Sequence, residues 1–401
     1  MILSLSLILL LGFLAGFICK QIKLPPLIGM LGVGIIIGPS VLNIIDKSLL
    51  AIASELRSIA LIVILTRAGL KLKTTDLRAI GRPAVLISFV PATFELLAVV
   101  IFAPLLIEGI KPLDAAMMGS VLAAVSPAVI IPTMIKIMSE KYGVKKRIPH
   151  LILAGSSVDD IYVIVLFYAL LNFSLGNSMT AWDIIKVPLS IILGVGLGLI
   201  LGYIIVKLFK WIQLPNIIQL IIVLGISFGL YGLEHTFEKY FPVSALLAVI
   251  SLALMIQKLN PKEAAIMEKS YSNIWQVFEI ILFVLVGAAT DLQSLNKSGL
   301  MLTLVIVIAL IFRGIGVMLA LIKTGLTVKE KIFCIISFIP KATVQAAIGG
   351  IALANGLSSG TSILSLAVLS ILITAPLGSI LIELTYKKLL TKNDDYILEK
   401  V

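Results

Sequence analysis

Apolar runs of about 17–25 residues recur along this 401-residue chain, and that is the length a helix needs to cross about 30 Å of hydrocarbon. They lie at 2–19, 26–45, 58–72, 83–107, 113–138, 149–175, 185–210, 215–233, 243–257, 272–290, 298–322, 330–355 and 360–387. No water inside a bilayer satisfies backbone N–H and C=O groups, so each run must close its hydrogen bonds within itself, as an α-helix does. With 60% hydrophobic and 13% charged residues, the composition excludes a soluble globular chain. The expectation is an all-α polytopic membrane protein with thirteen transmembrane helices and no soluble domain. Its function must lie in the membrane.

An odd number of spans puts the two termini on opposite sides. Cytoplasmic loops carry the excess of lysine and arginine. Of the 32 basic residues, 23 fall on the side reached after the first span, the tail included. The other side holds Lys47, Arg57, Lys111, Lys186, Lys239 and Lys297. This predicts an N-terminus outside and a cytoplasmic C-terminus. The net charge of +11 is then mostly loop charge facing anionic headgroups, so membrane lipid is an expected partner. No aromatic residues interleave with it, and nucleic acid is not expected. The first span lacks a basic lead and a small-residue cleavage site, so it reads as a retained helix. Cys19 and Cys334 both sit in apolar spans and define neither a disulfide nor a metal framework.

Two spans are interrupted. The fifth carries Ser126-Pro127 and Pro132, the twelfth Pro340-Lys341 followed by Gly349-Gly350. Proline removes a backbone donor and clashes with the preceding turn, so each span is expected to unwind near mid-depth. The two are seven spans apart, an odd offset, and therefore cross in opposite directions. The same offset relates the fourth span to the eleventh and the sixth to the thirteenth. Inverted repeats with two broken crossing helices have this arrangement, which points to a transporter.

Leaving aside charges within four residues of a span end, seven charged residues fall inside spans: Arg67, Glu95, Asp159, Asp160, Glu279, Arg313 and Lys341. A charge at the centre of a membrane helix costs about 2.5–3.5 kcal/mol on insertion scales, so each needs a reason. Four acids face three bases, and a proton or a monovalent cation would neutralise the remainder. Arg67 and Glu279 lie towards span ends and are expected to snorkel or to pair with each other. Asp159 and Asp160 point about 100° apart on a helix, so one can hold a basic side chain while the other faces a cavity. Such a carboxylate binds either a proton or a hard cation. Mutual exclusion at one group, with access alternating between the two faces, is a mechanism of exchange. The competing reading is a buried ion pair that fixes helix register.

These residues carry a resemblance. The aspartate pair in the sixth span, the broken fifth and twelfth spans and the thirteen-span plan resemble the monovalent cation:proton antiporter superfamily. Leu56-Arg57-Ser58-Ile59-Ala60-Leu61, Arg67-Ala68-Gly69-Leu70, Ser126-Pro127-Ala128-Val129 and the decapeptide Pro340 to Gly349 (PKATVQAAIG) are similar to the NHA-type sodium/proton antiporters. The likeness covers nearly the whole chain, and the decapeptide is its most specific part.

The resemblance implies a secondary active antiporter that exchanges Na+ or Li+ for H+. It assigns Asp160 as the ion-carrying group, with Asp159 beside it and Ser126 plus a backbone carbonyl lent by the fifth-span break. Na+ would sit at Asp160 and Asp159. Lys341 would compensate helix-end dipoles, because cations are favoured at carbonyl-rich helix ends. Arg313 stands where charge-moving family members have a lysine, and the family pattern pairs it with Glu95. Arginine is not deprotonated in proteins, so one-for-one electroneutral exchange is expected. The implied plan has a core of 83–175 and 298–390, a scaffold of 1–80 and 213–290, and a linker helix at 185–210. Gly155, Gly314 and Gly316 would permit close helix approach in that core. A homodimer in the plasma (inner) membrane is implied, with no cofactor and no enzymatic activity.

Other classes fit less well. An intramembrane aspartyl protease needs its aspartates on facing helices, commonly with a Gly-x-Gly-Asp sequence that is absent here. A cation channel needs a pore-lining ring, and a sodium-coupled organic-solute symporter a wider cavity. Within the favoured class, potassium is the competing cargo.

Overall fold

The computed structural model describes residues 1–71, 81–175, 181–237 and 243–392, and among these every regular element is a helix. Lys73, Arg78, Lys239 and Lys400, which contribute to the orientation argument, lie outside the described residues. In chain order the helices are α1 (Ile2–Gln21), α2 (Pro26–Ile37), α3 (Lys47–Ala51), α4 (Ala53–Lys71), α5 (Arg82–Leu106), α6 (Pro112–Ala123), α7 (Pro127–Ser139) and α8 (Ile148–Leu175). There follow α9 (Ala181–Ile212), α10 (Asn216–Phe237), α11 (Ala245–Leu259), α12 (Pro261–Ala288), α13 (Leu292–Ala320), α14 (Val328–Ser337), α15 (Thr343–Ile348), α16 (Ile351–Ala354) and α17 (Gly360–Leu389). Nine helical stretches among the described residues are long and apolar enough to cross a membrane. The chain is a multi-pass integral membrane protein.

Local sequence explains where the helices begin and stop. Proline at the first helical position costs no hydrogen bond, and α2, α6, α7 and α12 all open on one. The span expected at 26–45 is helical only to Ile37, because Gly38-Pro39 cannot continue it. α12 starts at Pro261, well before the expected 272, with Glu263 in its first turn where the helix dipole favours an acid. Arg57, counted above as a connection residue, is buried within α4.

The chain forms two compact units. The first comprises Met1–Ala51, Thr75–Leu171 and Phe283–Val401. In it α13 packs along α5, and α17 packs against α13, α14 and α16. A Cβ at Gly316 of α13 would lie 2.7 Å from Pro91 Cα, so the absence of a side chain lets α5 and α13 touch through their backbones. One at Gly155 would meet Ile87 Cγ2 at 2.7 Å, whereas Gly314 has Ile335 Cγ2 at 3.3 Å.

Two irregular stretches interrupt the helices of this unit. α6 stops at Ala123, residues 124–126 are non-helical with Ala124 and Ser126 extended, and Pro127 opens α7. α14 opens on a capping box in which Thr327 Oγ1 accepts from Glu330 N and Glu330 Oε2 accepts from Thr327 N. It ends at Ser337, and the chain is irregular up to Thr343. Ser126 N donates to Pro340 O at 2.9 Å, which stitches the two stretches together.

The second unit comprises Ile52–Thr74 and Asn172–Leu282, where α11 packs between α4 and α9. A Cβ at Gly198 of α9 would fall 2.2 Å from Ala248 O, so this contact admits no side chain. Arg67 Nε donates to Glu268 Oε1 at 3.2 Å. Of the two expectations for Arg67, snorkelling or pairing with Glu279, the direct pairing is replaced at hydrogen-bond distance by a carboxylate eleven positions earlier on α12.

Candidate functional site

Four charged groups from four elements of the first unit meet in its interior. α5 supplies Glu95, α8 Asp159, α13 Arg313, and the irregular stretch before α15 supplies Lys341. Glu95, Asp159 and Lys341 are fully buried and Arg313 is 2% exposed. Arg313 Nη1 donates to Glu95 Oε2 and to Ala123 O, while Nη2 donates to Asp159 Oδ2 at 2.6 Å. Lys341 Nζ donates to Glu95 Oε2 at 2.7 Å. The guanidinium also lies over the Phe338 ring, with Cζ 5.4 Å from its centroid. Two acids and two bases make a neutral quartet, which is the condition under which charges survive in low dielectric.

Asp160 stands outside that quartet. It is half-buried on α8, and its Oδ1 is enclosed with no hydrogen-bond partner among the described residues. Asp159, turned about 100° from it round the helix, engages the α6 break, where Val125 N donates to its Oδ2 at 3.2 Å. The division between adjacent aspartates follows from their angular separation on the helix. One is held by arginine; the other has no basic side chain within ion-pair distance among the described residues.

The break residues are fixed from several sides. Ser126 is buried, with Oγ 3.4 Å from Thr343 Oγ1. Lys341 N donates to Thr374 Oγ1 at 2.9 Å. The nearest partner of the Lys341 ammonium is thus a carboxylate, where the sequence suggested helix-end dipoles. The helix end is served instead by Arg313, on Ala123 O, and by Gln345, whose Nε2 lies within 3.3 Å of Val121 O, Leu122 O and Ala124 O. Thr343 and Gln345 entered the sequence reading only as members of the decapeptide, with no role of their own, and Thr374 did not enter it. Their signal was available as polar side chains inside apolar spans, but threonine commonly bonds its own helix, as Thr374 Oγ1 does to Ser370 O.

Comparison with known proteins sets this geometry in context. A family model described as sodium/hydrogen exchanger, transmembrane, matches residues 6–388. Sodium/hydrogen exchanger 9B2 of Mus musculus is 34% identical over 388 residues, covering 94% of this chain and 71% of that protein. Sodium/hydrogen exchanger 9B1 of Homo sapiens is 33% identical over 393 residues, covering 93% and 74%. Among solved structures, the sodium proton antiporter MjNhaP1 from Methanocaldococcus jannaschii matches with a TM-score of 0.79 at 22% identity, covering 97% of this chain and 98% of that one. That last likeness is one of fold.

Proposed function

Because the chain belongs to the sodium/hydrogen exchanger family, we propose that it is a secondary active antiporter exchanging Na+ or Li+ for H+ by alternating access, with Asp160 as the carrying group. The observation that supports this is the isolation of Asp160 beside a neutral quartet: its Oδ1 is enclosed and unpartnered among the described residues. A lone carboxylate in that setting is neutralised by a proton or by a small cation, and one group cannot hold both. Asp159 and Ser126 complete the cation site, Glu95 and Arg313 hold the core together, and Lys341 balances its charge.

Exchange is one-for-one and electroneutral in this reading. Arg313 keeps its proton, and Lys341 is engaged by Glu95, so Asp160 is the single carrier. α2, α4, α11 and the α14–α16 stretch bring the nine long spans to thirteen crossings, built as inverted repeats around two broken helices. The core of 83–175 and 298–390 moves against a scaffold of 1–80 and 213–290, joined by the linker helix at 185–210. Packing alone groups Met1–Ala51 with the core; the proposal divides the chain by motion. The protein works as a homodimer in the plasma membrane, with its N-terminus outside and its C-terminus cytoplasmic.

Proteoliposomes loaded with a pH-sensitive dye test the assignment. Addition of Na+ or Li+ should move protons in the parent and leave Asp160→Asn silent, with K+ added in parallel as the competing cargo. An asparagine variant that exchanges at the parental rate would refute it. A rate driven by an imposed membrane potential alone would refute electroneutrality.

A further inference from the structure

Helix α6 ends inside the molecule, so its last carbonyls have no partner in the next turn. Side chains supply the missing donors. Arg313 serves Ala123 O, and Gln345 Nε2 lies 3.1 Å from Val121 O, 3.3 Å from Leu122 O and 2.9 Å from Ala124 O. Gln345 is fully buried on α15. Its amide nitrogen carries two N–H bonds, so three oxygens share two protons.

The orientation of this amide is dictated by its surroundings. Turned over, Oε1 would face three carbonyl oxygens and no donor. With the nitrogen towards α6, Oε1 is buried with no hydrogen-bond partner among the described residues. An ordinary helix cap satisfies its acceptors and leaves no oxygen of its own bare. Here one side chain is short of a proton on one side and short of a donor on the other. The chain immediately beyond is fixed as well, since Val125 N bonds Asp159 and Ser126 N bonds Pro340 O. The carbonyls held by Gln345 therefore sit one to five positions before the Val125 and Ser126 contacts.

We propose that Gln345 is a specificity-determining positioning residue: by tying three carbonyls of the α6 end to one amide, it fixes the oxygen dipoles at the breakpoint and so sets the preference among alkali cations. Selection among such ions depends on the spacing, number and field strength of the oxygens presented to them. A shared donor makes that spacing stiff while leaving one oxygen underbonded at any instant. The inference rests on the exchange reading and names a determinant of it.

The test uses the full chain in proteoliposomes, comparing the parent with Gln345→Met and Gln345→Asn. Methionine keeps the length and removes the donors; asparagine keeps the amide but draws it back by one carbon. The readouts are apparent KM for Li+, Na+ and K+ and the pH profile. The expected result for Gln345→Met is a change of about tenfold in the KM ratio between Li+ and K+, the equivalent of one hydrogen bond. The pH profile should stay in place, because Asp160 is untouched. Gln345→Asn should shift the ratio in the same direction and by less. Unaltered ratios, with only the maximal rate reduced, would overturn the proposal, as would failure of both variants to fold, which marks a purely structural cap. If the parent itself exchanged no alkali cation for protons, the exchange reading would fall. Parental exchange with unaltered ratios in the variants would remove this inference alone.

Discussion

Arg313 offers the sharpest energetic test, because it contacts two buried carboxylates and one helix-end carbonyl at once. Replacing it by methionine keeps an unbranched side chain of similar length and leaves Glu95 and Asp159 facing Lys341 alone. Removing one partner of a buried pair costs about 3–5 kcal/mol, since the remaining charge stays desolvated. Glu95→Gln should cost a similar amount, because both of its bases lose their shared anion. The double variant retains Asp159 and Lys341, one charge of each sign, so the quartet's neutrality is restored. Its loss should therefore fall short of the sum of the singles by a coupling of about 0.5–3 kcal/mol, the range for residues in one network. Thermal melting of the detergent-purified protein, run as a double-mutant cycle, measures it. Additive losses, or singles costing under about 1 kcal/mol, would refute the view that these four charges hold one another in the interior.

Two further outcomes follow from packing and capping. Gly198→Leu should lower the melting midpoint by an amount equivalent to about 1–3 kcal/mol, because the carbonyl of Ala248 cannot move aside as a side chain would. Gly225→Leu, where nothing lies within 4 Å, should leave the midpoint in place. Thr327→Ala should destabilise the start of α14 by about 0.5–2 kcal/mol, seen as faster hydrogen exchange at the Glu330 amide; unchanged exchange there would remove the capping argument.

Much of the architecture is legible in the chain because its strongest signals are local. Apolar run length marks the helices, and Ser126-Pro127 and Pro340 mark stretches where the backbone cannot continue as a helix. The identity of the interior charges is equally plain, since Glu95, Arg313 and Lys341 and the Asp159-Asp160 pair interrupt apolar runs. Their partners are another matter. Whether Lys341 meets a carbonyl end or Glu95, and whether Arg67 meets Glu279 or Glu268, depends on helix rotation and rotamer, which spacing along one chain does not encode. Gln345 was hidden for the same reason: an amide in a buried span is unremarkable until three carbonyls from a helix more than two hundred residues away are seen around it. The early end of α2 was missed for a simpler reason. Apolar residues continue past Gly38-Pro39, and run length outweighed the breaker.

Arg313 grips α5, the tip of α6 and α8 in one hand, and Lys341 fastens the interrupted stretch before α15 to that same α5 carboxylate. Sliding α8 past α5 would separate a buried guanidinium from its buried anions. The least costly motion leaves this knot whole. Asp160, next to Asp159 on α8, sits on a braced frame.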